Sequence, residues 1–330
     1  MAAKGEVLVT GADGRLGTAV VQALVRGKVR VRALCLPGQG VSRLKAMGVR
    51  AEGVDISDFS NFQRLRAACR GASAVLHLAG QVDYSAPDDE LVRNNYLATS
   101  QLANAAVAEG VRRFVFVSST SIYRGVSLGP GEHISESTLP LPANAYGRSK
   151  LAAENALRAS PLEYVILRPP IVYGKGFREG FRQVVGRIRA GRMRLVGDGA
   201  NSVSFIHVDD LARAVLLAMR TRAVREDFIV TSGESFTQRE LFEAVANELA
   251  VEPPKKHVSK RMALLAARLD AWRSRLLGRK TRFPEEYLHT LSEHRQYDIG
   301  KARRLLRFSP RVKFASGLKR FIREISAAGG

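Results

Sequence analysis

Val7-Leu8-Val9-Thr10-Gly11-Ala12-Asp13-Gly14-Arg15-Leu16-Gly17 reads as a buried strand, a glycine turn and the start of a helix. A strand that passes directly into a helix through glycines three residues apart is the opening of a βαβ unit. Gly11 suits a turn that β-carbons disfavour, Gly14 lets a pyrophosphate approach the main chain, and Gly17 permits close helix-to-strand packing. The helix N-terminus then presents unpaired N–H groups to an anion. Asp13, Arg15 and Leu16 lie in the same turn and join the three glycines as candidate dinucleotide contacts. Glycines at this spacing also occur in simple tight turns, so the pattern downstream has to decide.

That pattern is an alternation. Apolar runs rich in β-branched residues at 29–34, 51–54, 74–78, 114–118 and 164–167 read as strands, and the segments 16–26, 59–69 behind an Asp58 cap, and 88–109 read as helices. Such strands need crossover helices on both faces, which predicts an α/β fold, a doubly wound parallel sheet. After Arg168 the alternation breaks into Gly- and Pro-rich stretches, mixed helices and isolated strands. We therefore expect a nucleotide-binding domain over residues 1–170 and a smaller interleaved α/β substrate lobe over 171–330, with part of 200–235 returning to the first domain.

The formal charge is +21, and residues 251–330 hold 20 Lys and Arg against 7 Asp and Glu. Such a field attracts anionic cofactors, nucleic acid or lipid head groups. Within residues 261–280, Met262, Leu265, Leu269, Trp272 and Leu276 recur at three- and four-residue steps, with Arg268, Arg273, Arg275 and Arg279 mostly elsewhere. This predicts a basic amphipathic helix whose stripe packs on the protein's own core, with docking on an anionic membrane surface as the second reading. The basic tail lacks the regular aromatic interleaving of a nucleic-acid binder. Cys35 and Cys69 lie far apart without metal-ligand spacing, so neither a metal nor a disulfide framework is expected. Residues 1–6 carry no leader pattern and no apolar run reaches spanning length. A cytoplasmic protein, peripheral to a membrane at most, is expected.

In Asn144-Ala145-Tyr146-Gly147-Arg148-Ser149-Lys150 the tyrosine and lysine are four residues apart and share a helix face. A phenol with a reference pKa of about 10 is a poor base at neutral pH, and a neighbouring ammonium favours its phenolate. The same ammonium can hold a ribose. Alone, such a pair is ordinary on a solvated helix.

With the motifs around it, the chain resembles the extended short-chain dehydrogenase/reductase superfamily, which includes nucleotide-sugar epimerases, 3β-hydroxysteroid dehydrogenases and dihydroflavonol-type reductases. The resemblance spans roughly residues 6–220. Besides the glycine turn and the Tyr146–Lys150 pair, it rests on Asp55-Ile56, Leu78-Ala79-Gly80, Asn95 with Thr99, Phe116-Val117-Ser118-Ser119-Thr120-Ser121-Ile122-Tyr123, Leu167-Arg168-Pro169-Pro170-Ile171-Val172-Tyr173-Gly174, and Phe205-Ile206-His207-Val208-Asp209-Asp210-Leu211-Ala212. It implies that Ser119 holds a substrate oxygen, Tyr146 exchanges a proton with it, and Lys150 tunes Tyr146 while hydride moves between substrate and nicotinamide. It further implies cofactor contacts from Cys35, Asp55, Ile56, Leu78, Ala79, Gly80, Asn95, Pro169, Pro170 and Ile171, and from Tyr146 and Lys150 themselves. A small-molecule substrate and a homodimer built on helices at 88–109 and 142–158 follow from the same resemblance. Asp55 also suits a loop cap, Ser118, Thr120 and Ser121 are read as turn hydroxyls, His207 as structural, and Asp209 and Asp210 as caps of a helix beginning at Leu211.

Departures from the family pattern narrow the reading. Thr120 and Ser121 stand where 4,6-dehydratases place an Asp-Glu pair, so carboxylate acid-base chemistry is missing there. Pro169-Pro170-Ile171 replaces the asparagine common in nucleotide-sugar epimerases, and Ser202-Val203-Ser204 stands where an arginine often precedes the later His motif. The sequence sits on the steroid dehydrogenase and flavonol reductase side, as an NAD(P)-dependent oxidoreductase of a secondary alcohol and ketone. An epimerase that oxidises its sugar transiently with tightly bound NAD is the alternative, with Arg178, Arg182 or Arg187 as diphosphate ligands. A non-catalytic dinucleotide scaffold or RNA-binding protein is a second alternative, which retention of all three catalytic positions disfavours. Cys35 and Leu36 close the second strand where an acid would select NAD or an arginine NADP. With no carboxylate there, and Arg15, Arg43 and Lys45 expected nearby, NADP is favoured over NAD.

Overall fold

A computed structural model of the protein describes residues 5–83, 86–129, 131–177, 179–278 and 285–327. Arg178 and Arg279, named above, lie outside them. The strands among these residues are β1 (Glu6–Thr10), β2 (Val31–Cys35), β3 (Arg50–Gly53), β4 (Ala72–His77), β5 (Arg113–Val117), β6 (Glu163–Arg168), β7 (Ile171–Tyr173), β8 (Leu195–Val196), β9 (Ser202–His207), β10 (Glu226–Ile229), β11 (Ser235–Thr237) and β12 (His257–Val258).

Seven of them form one sheet in the order β10-β6-β5-β4-β1-β2-β3, and every pairing is parallel. The strand order reverses between β1 and β4, where a crevice opens at the carboxyl ends of the strands. Alternation along β1 sends Val7 and Val9 to one face and Leu8 to the other. On the first face Val20, Val21 and Leu24 of the helix Arg15–Arg26 pack with Leu211 and Val215 of the helix Val208–Arg220. On the second, the helices Phe62–Cys69, Ala98–Ala108 and Ala145–Ala159 bury Leu65, Leu102 and Leu157 against Phe114 and Phe116. A three-stranded sheet, β11-β9-β7, carries a separate core in which Tyr173, Phe181, Phe205, Phe314 and Phe321 cluster.

Several local expectations are corrected by the structure, while the Asp58 cap and the helical run from Asp88 are borne out. The helix expected from Leu211 begins at Val208, and its cap is His207, whose Nδ1 accepts from the Asp209 N–H at 3.2 Å. Asp210 caps nothing. It is buried, and its carboxylate accepts from the backbone N–H groups of Arg311 and Val312 at 2.9 Å each, which ties this helix to the C-terminal segment. Asp58 accepts from Ser60 N–H at the short turn Phe59–Asn61 that leads into its helix. The segment expected as one helix from Asp88 runs as Asp88–Leu91, a wider π-type turn at Val92–Leu97, and Ala98–Ala108. The basic helix is present as Lys260–Leu276, but its large apolar residues face outward and only the small residues Ala263, Ala267 and Ser274 are buried.

One ion pair lies inside this fold. Arg168, at the end of β6, donates from Nε and Nη2 to the two carboxylate oxygens of Glu154 at 3.0 and 2.7 Å, with both side chains buried. The same guanidinium reaches Tyr123 Oη and Asp227 of β10. Removing one partner of a buried pair leaves the other uncompensated, at a cost of about 3–5 kcal/mol. Arg168→Met is expected to destabilise by about that amount in urea denaturation, and adding Glu154→Leu to restore most of it. A single variant within about 1 kcal/mol of the parent would show that the pair holds nothing in place.

Candidate active site

At the exit of β1, Gly11 has φ +62°, and a β-carbon there would lie 2.8 Å from the Ala79 backbone. Gly17 faces the tighter constraint: a β-carbon would come within 2.0 Å of the Gly11 carbonyl oxygen. Only glycine lets this helix start so close to the strand. Gly14 occupies the helix cap without a side-chain acceptor, so the first N–H groups remain available to a ligand. This cradle fits a dinucleotide pyrophosphate. Arg15 lies over the Phe177 ring at 5.6 Å, and Leu16 packs on the sheet core.

Gly80 sits across the crevice from that turn. A β-carbon on it would lie 2.9 Å from Asn95 Oδ1 and 3.3 Å from Lys150 Nζ, so Gly80, Asn95 and Lys150 converge. Leu78 and Ala79 lead into this corner partly buried. Asn144 starts the helix Ala145–Ala159 by accepting from Gly147 N–H at 2.7 Å, and Tyr146 and Lys150 on that helix are both buried. Lys150 Nζ donates to the Val117 carbonyl at 2.9 Å and lies 4.5 Å from the Phe116 ring centre. Burial lowers its pKa to about 8, against the opposing pull of Glu154.

A chain of hydrogen bonds missing from the sequence reading runs beneath these residues. His77 links Thr10 Oγ1 through Nδ1 at 2.7 Å to Thr99 Oγ1 through Nε2 at 2.9 Å. Thr99 Oγ1 donates to Asn95 O at 2.5 Å, Asn95 Nδ2 donates to Ser149 Oγ at 3.0 Å, and Ser149 Oγ donates to Tyr146 O at 2.9 Å. Thr99 spends its one proton on Asn95, so His77 must carry its hydrogen on Nε2 and accept from Thr10 on Nδ1. The ring is neutral, because burial and then Lys150 hold its pKa down to about 3.

Ser119 follows β5. It accepts from Ser121 N–H and donates to Ser121 Oγ, both at 3.1 Å, and borders a cavity of about 90 Å³ with Pro170 and Ile171. Pro169 turns the chain there, its carbonyl accepting from Thr120 N–H at 3.0 Å. Sequence reading missed the far wall, formed by Arg124, Glu293, Arg295 and Tyr297. The segment carrying the last three is stitched back by a bridge between Ile134 and Tyr297. Glu293 is shared, at 2.9 Å from Arg295 and 3.8 Å from Arg124. Arg182 and Arg187, the proposed diphosphate ligands, sit exposed on the helix Glu179–Arg189 and do not line this cavity.

At the end of β2, Cys35 Sγ donates to Gln39 O at 3.1 Å, and burial and then the Asp13 carboxylate push its thiol up to about 11 against the pull of Arg43. Arg43 donates to Asp13 O at 2.6 Å and to Thr18 Oγ1 at 3.2 Å. The strand end itself carries no acid, and the glycine turn contributes the Asp13 carboxylate to the electrostatic surroundings of Cys35. Asp55 Oδ1 accepts from Ser57 N–H and Oγ–H at 2.8 and 2.7 Å, a loop-cap geometry, and Ile56 is buried behind it.

A doubly wound parallel sheet, a glycine cradle at its first strand and a buried lysine one helical turn from a buried tyrosine define an enzyme of the extended short-chain dehydrogenase/reductase type. The chain belongs to the NAD dependent epimerase/dehydratase family, whose pattern matches residues 7–230. It is similar to a 2-alkyl-3-oxoalkanoate reductase of Stenotrophomonas maltophilia, 29% identical over 96% of this chain and 98% of the relative. Sterol demethylase protein B of Methylococcus capsulatus is 30% identical over 95% of this chain and 97% of its own length. Among solved structures, MoeE5 in complex with UDP-glucuronic acid and NAD is 27% identical with a TM-score of 0.73, covering 99% of this chain and 100% of that one.

Burial of the Lys150 ammonium has a measurable cost. At pH 7 the amine is charged in the folded and the unfolded chain, and the drop from 10.5 to about 8 opposes folding by about 3 kcal/mol. Lys150→Met should therefore raise stability at pH 7 by up to about 3 kcal/mol. Between about pH 8 and pH 10 the folded parent loses a proton that the unfolded chain keeps, so the parent gains stability and the difference narrows. Urea denaturation at pH 7 and pH 9.5 checks this, and a difference that stays constant or widens contradicts it.

Proposed function

We propose that the protein interconverts a secondary alcohol and a ketone, with Ser119, Tyr146 and Lys150 as the working residues. The observation that carries this is Lys150, buried beside Gly80 and Asn95 on the helix that also holds Tyr146. Gly11, Gly14 and Gly17 would cradle a nicotinamide dinucleotide, which would supply or accept the hydride when bound. Ser119 turns its hydroxyl proton from Ser121 to the substrate oxygen, and Tyr146 Oη donates a proton to that oxygen in reduction or removes one in oxidation. The Lys150 ammonium favours the phenolate and thereby brings Tyr146 closer to neutral pH. That ammonium is held by Val117 O and the Phe116 ring.

The substrate proposed is an apolar ketone or alcohol carrying one carboxylate. Arg124 and Arg295 stand on the wall facing Ser119, guanidinium groups of the kind that recognise a carboxylate. The 2-alkyl-3-oxoalkanoate reductase acts, by its name, on a ketone of that kind. The epimerase reading has less support, because Arg182 and Arg187 lie away from the cavity. Cofactor oxidation is to be followed with 2-alkyl-3-oxo acids, 3-ketosteroids and UDP-sugars. Turnover of the keto acid supports the proposal, whereas conversion of UDP-glucose to UDP-galactose would replace it with epimerisation. On the active substrate, Tyr146→Phe should lower kcat by about 10²–10⁴-fold and leave dinucleotide affinity within about twofold. Near-parental turnover would remove Tyr146 from its role.

We further propose that the protein accepts both NAD and NADP, with Asp13 and Arg43 acting in opposite senses on a 2′-phosphate. Asp13→Asn should shift the ratio of dissociation constants toward NADP by roughly fivefold, as expected for removing one partly solvated charge. Titration calorimetry with both oxidised cofactors reads the ratio, and an unchanged value would place the ribose away from Asp13.

A further inference from the structure

We propose that the helix Lys260–Leu276 is a docking surface for an anionic lipid bilayer, a role independent of the catalytic reading. Met262, Leu265, Leu269, Trp272, Leu276 and Leu277 are 65%, 60%, 47%, 60%, 66% and 64% exposed. At about 100° per residue, the first five fall on one stripe, on roughly the opposite side of the helix from Ala263, Ala267 and Ser274, which are buried. Small residues seat the helix on the protein, and the Arg268–Glu285 ion pair at 3.0 Å joins it to the helix Glu285–Ser292. The large residues therefore face solvent in the folded chain.

Charge identifies the occupant. Arg261, Arg268 and Arg275 recur every seven residues along one flank of the stripe, Arg273 lies on the other, and all four are exposed. An apolar stripe between arginine flanks matches a helix lying in the plane of a bilayer, with acyl chains under the leucines and anionic head groups against the arginines. A second copy of the chain fits poorly, because pairing this face with itself would bring arginine flanks together in a protein already at +21. Single-stranded nucleic acid fits poorly as well, since it stacks on repeated aromatic rings and this stripe offers only Trp272. Among the described residues no helix is long and apolar enough to cross a membrane, so the attachment is peripheral. Beyond the helix Glu285–Ser292 the chain runs into Glu293, Arg295 and Tyr297 of the Ser119 cavity, which connects the docked face to the site.

Trp272 is the single tryptophan of the sequence, so its fluorescence reports on this stripe alone. The full-length protein is to be mixed with vesicles of phosphatidylcholine alone or with phosphatidylserine added, at low and high salt, with brominated acyl chains as quenchers. Expected are partition onto the serine-containing vesicles, a blue shift and quenching of Trp272, and a steep loss of partition as salt rises. Arg261→Gln with Arg273→Gln and Arg275→Gln, which leave the Arg268–Glu285 pair in place, should weaken partition roughly a hundredfold, at roughly fivefold per charge. Leu265→Glu with Leu269→Glu should abolish it, with circular dichroism confirming that each variant is folded. The proposal is overturned if the parent does not partition at low salt, if Trp272 is not quenched, or if emission is already blue-shifted in a dimer free of vesicles. RNA that displaces bound vesicles by occupying Trp272 would overturn it equally.

Discussion

The position of the Tyr146–Lys150 helix depends on a charge pair in the core. Arg168 and Glu154 are both removed from water, which costs several kcal/mol per ion unless geometry and further hydrogen bonds compensate. Here the contact is bidentate, and Tyr123, Asp227 and Arg158 take up remaining donors and acceptors. Glu154 lies one helical turn beyond Lys150, and Tyr123 lies four residues beyond Ser119. One guanidinium at the end of β6 therefore clamps the Ser119 turn and the Lys150 helix to the same strand. A hydrophobic replacement could stabilise as well, but it would fix neither element in register.

The chain through His77 anchors the start of the same helix. Its hydrogen bonds have one consistent direction, from Thr10 to His77, Thr99, Asn95, Ser149 and the Tyr146 carbonyl. That direction requires a neutral imidazole, and the nearby Lys150 ammonium together with burial keeps it neutral. Lys150 thus helps to hold His77 in the neutral form that this chain of hydrogen bonds needs. With two buried polar anchors, the helix brings Lys150 to the crevice.

What could be read from sequence was local. The strand, glycines and helix of residues 7–26 announce themselves because each is specified by its neighbours, and the parallel sheet follows from repeated short apolar runs. Tyr146 and Lys150 are four residues apart, so helical geometry alone places them together. The other half of the site was hidden because it is assembled across long separations. Arg168 looked like part of a strand-end motif, and only the fold reveals Glu154 and Asp227 as its partners. His77 ends an apolar strand, and its partners Thr10 and Thr99 are 67 and 22 residues away. Arg295 bonds the Arg124 carbonyl across 171 residues, a return that no periodicity encodes. The stripe at Trp272 failed differently: periodicity identified an amphipathic helix correctly but cannot say which face turns inward. Ala263, Ala267 and Ser274 decide that, because small side chains let one helix face approach closely.

The cofactor end of the sheet shows why selectivity is hard to read from a strand terminus. Cys35 stands where an acid or an arginine would otherwise meet the ribose, yet the charges that matter there come from elsewhere in the chain. Asp13 arrives from the glycine turn, while Arg43 follows from the helix Val41–Ala46 and is engaged with the Asp13 carbonyl and the Thr18 hydroxyl. Arg43 thus closes the glycine turn, and on the proposed use of both cofactors a 2′-phosphate would compete with that turn for its guanidinium. On that proposal Asp13 would oppose the phosphate and accept from a ribose diol. The charges near this end of the sheet are thus opposed in sign, under an overall field that is positive and attracts either dinucleotide.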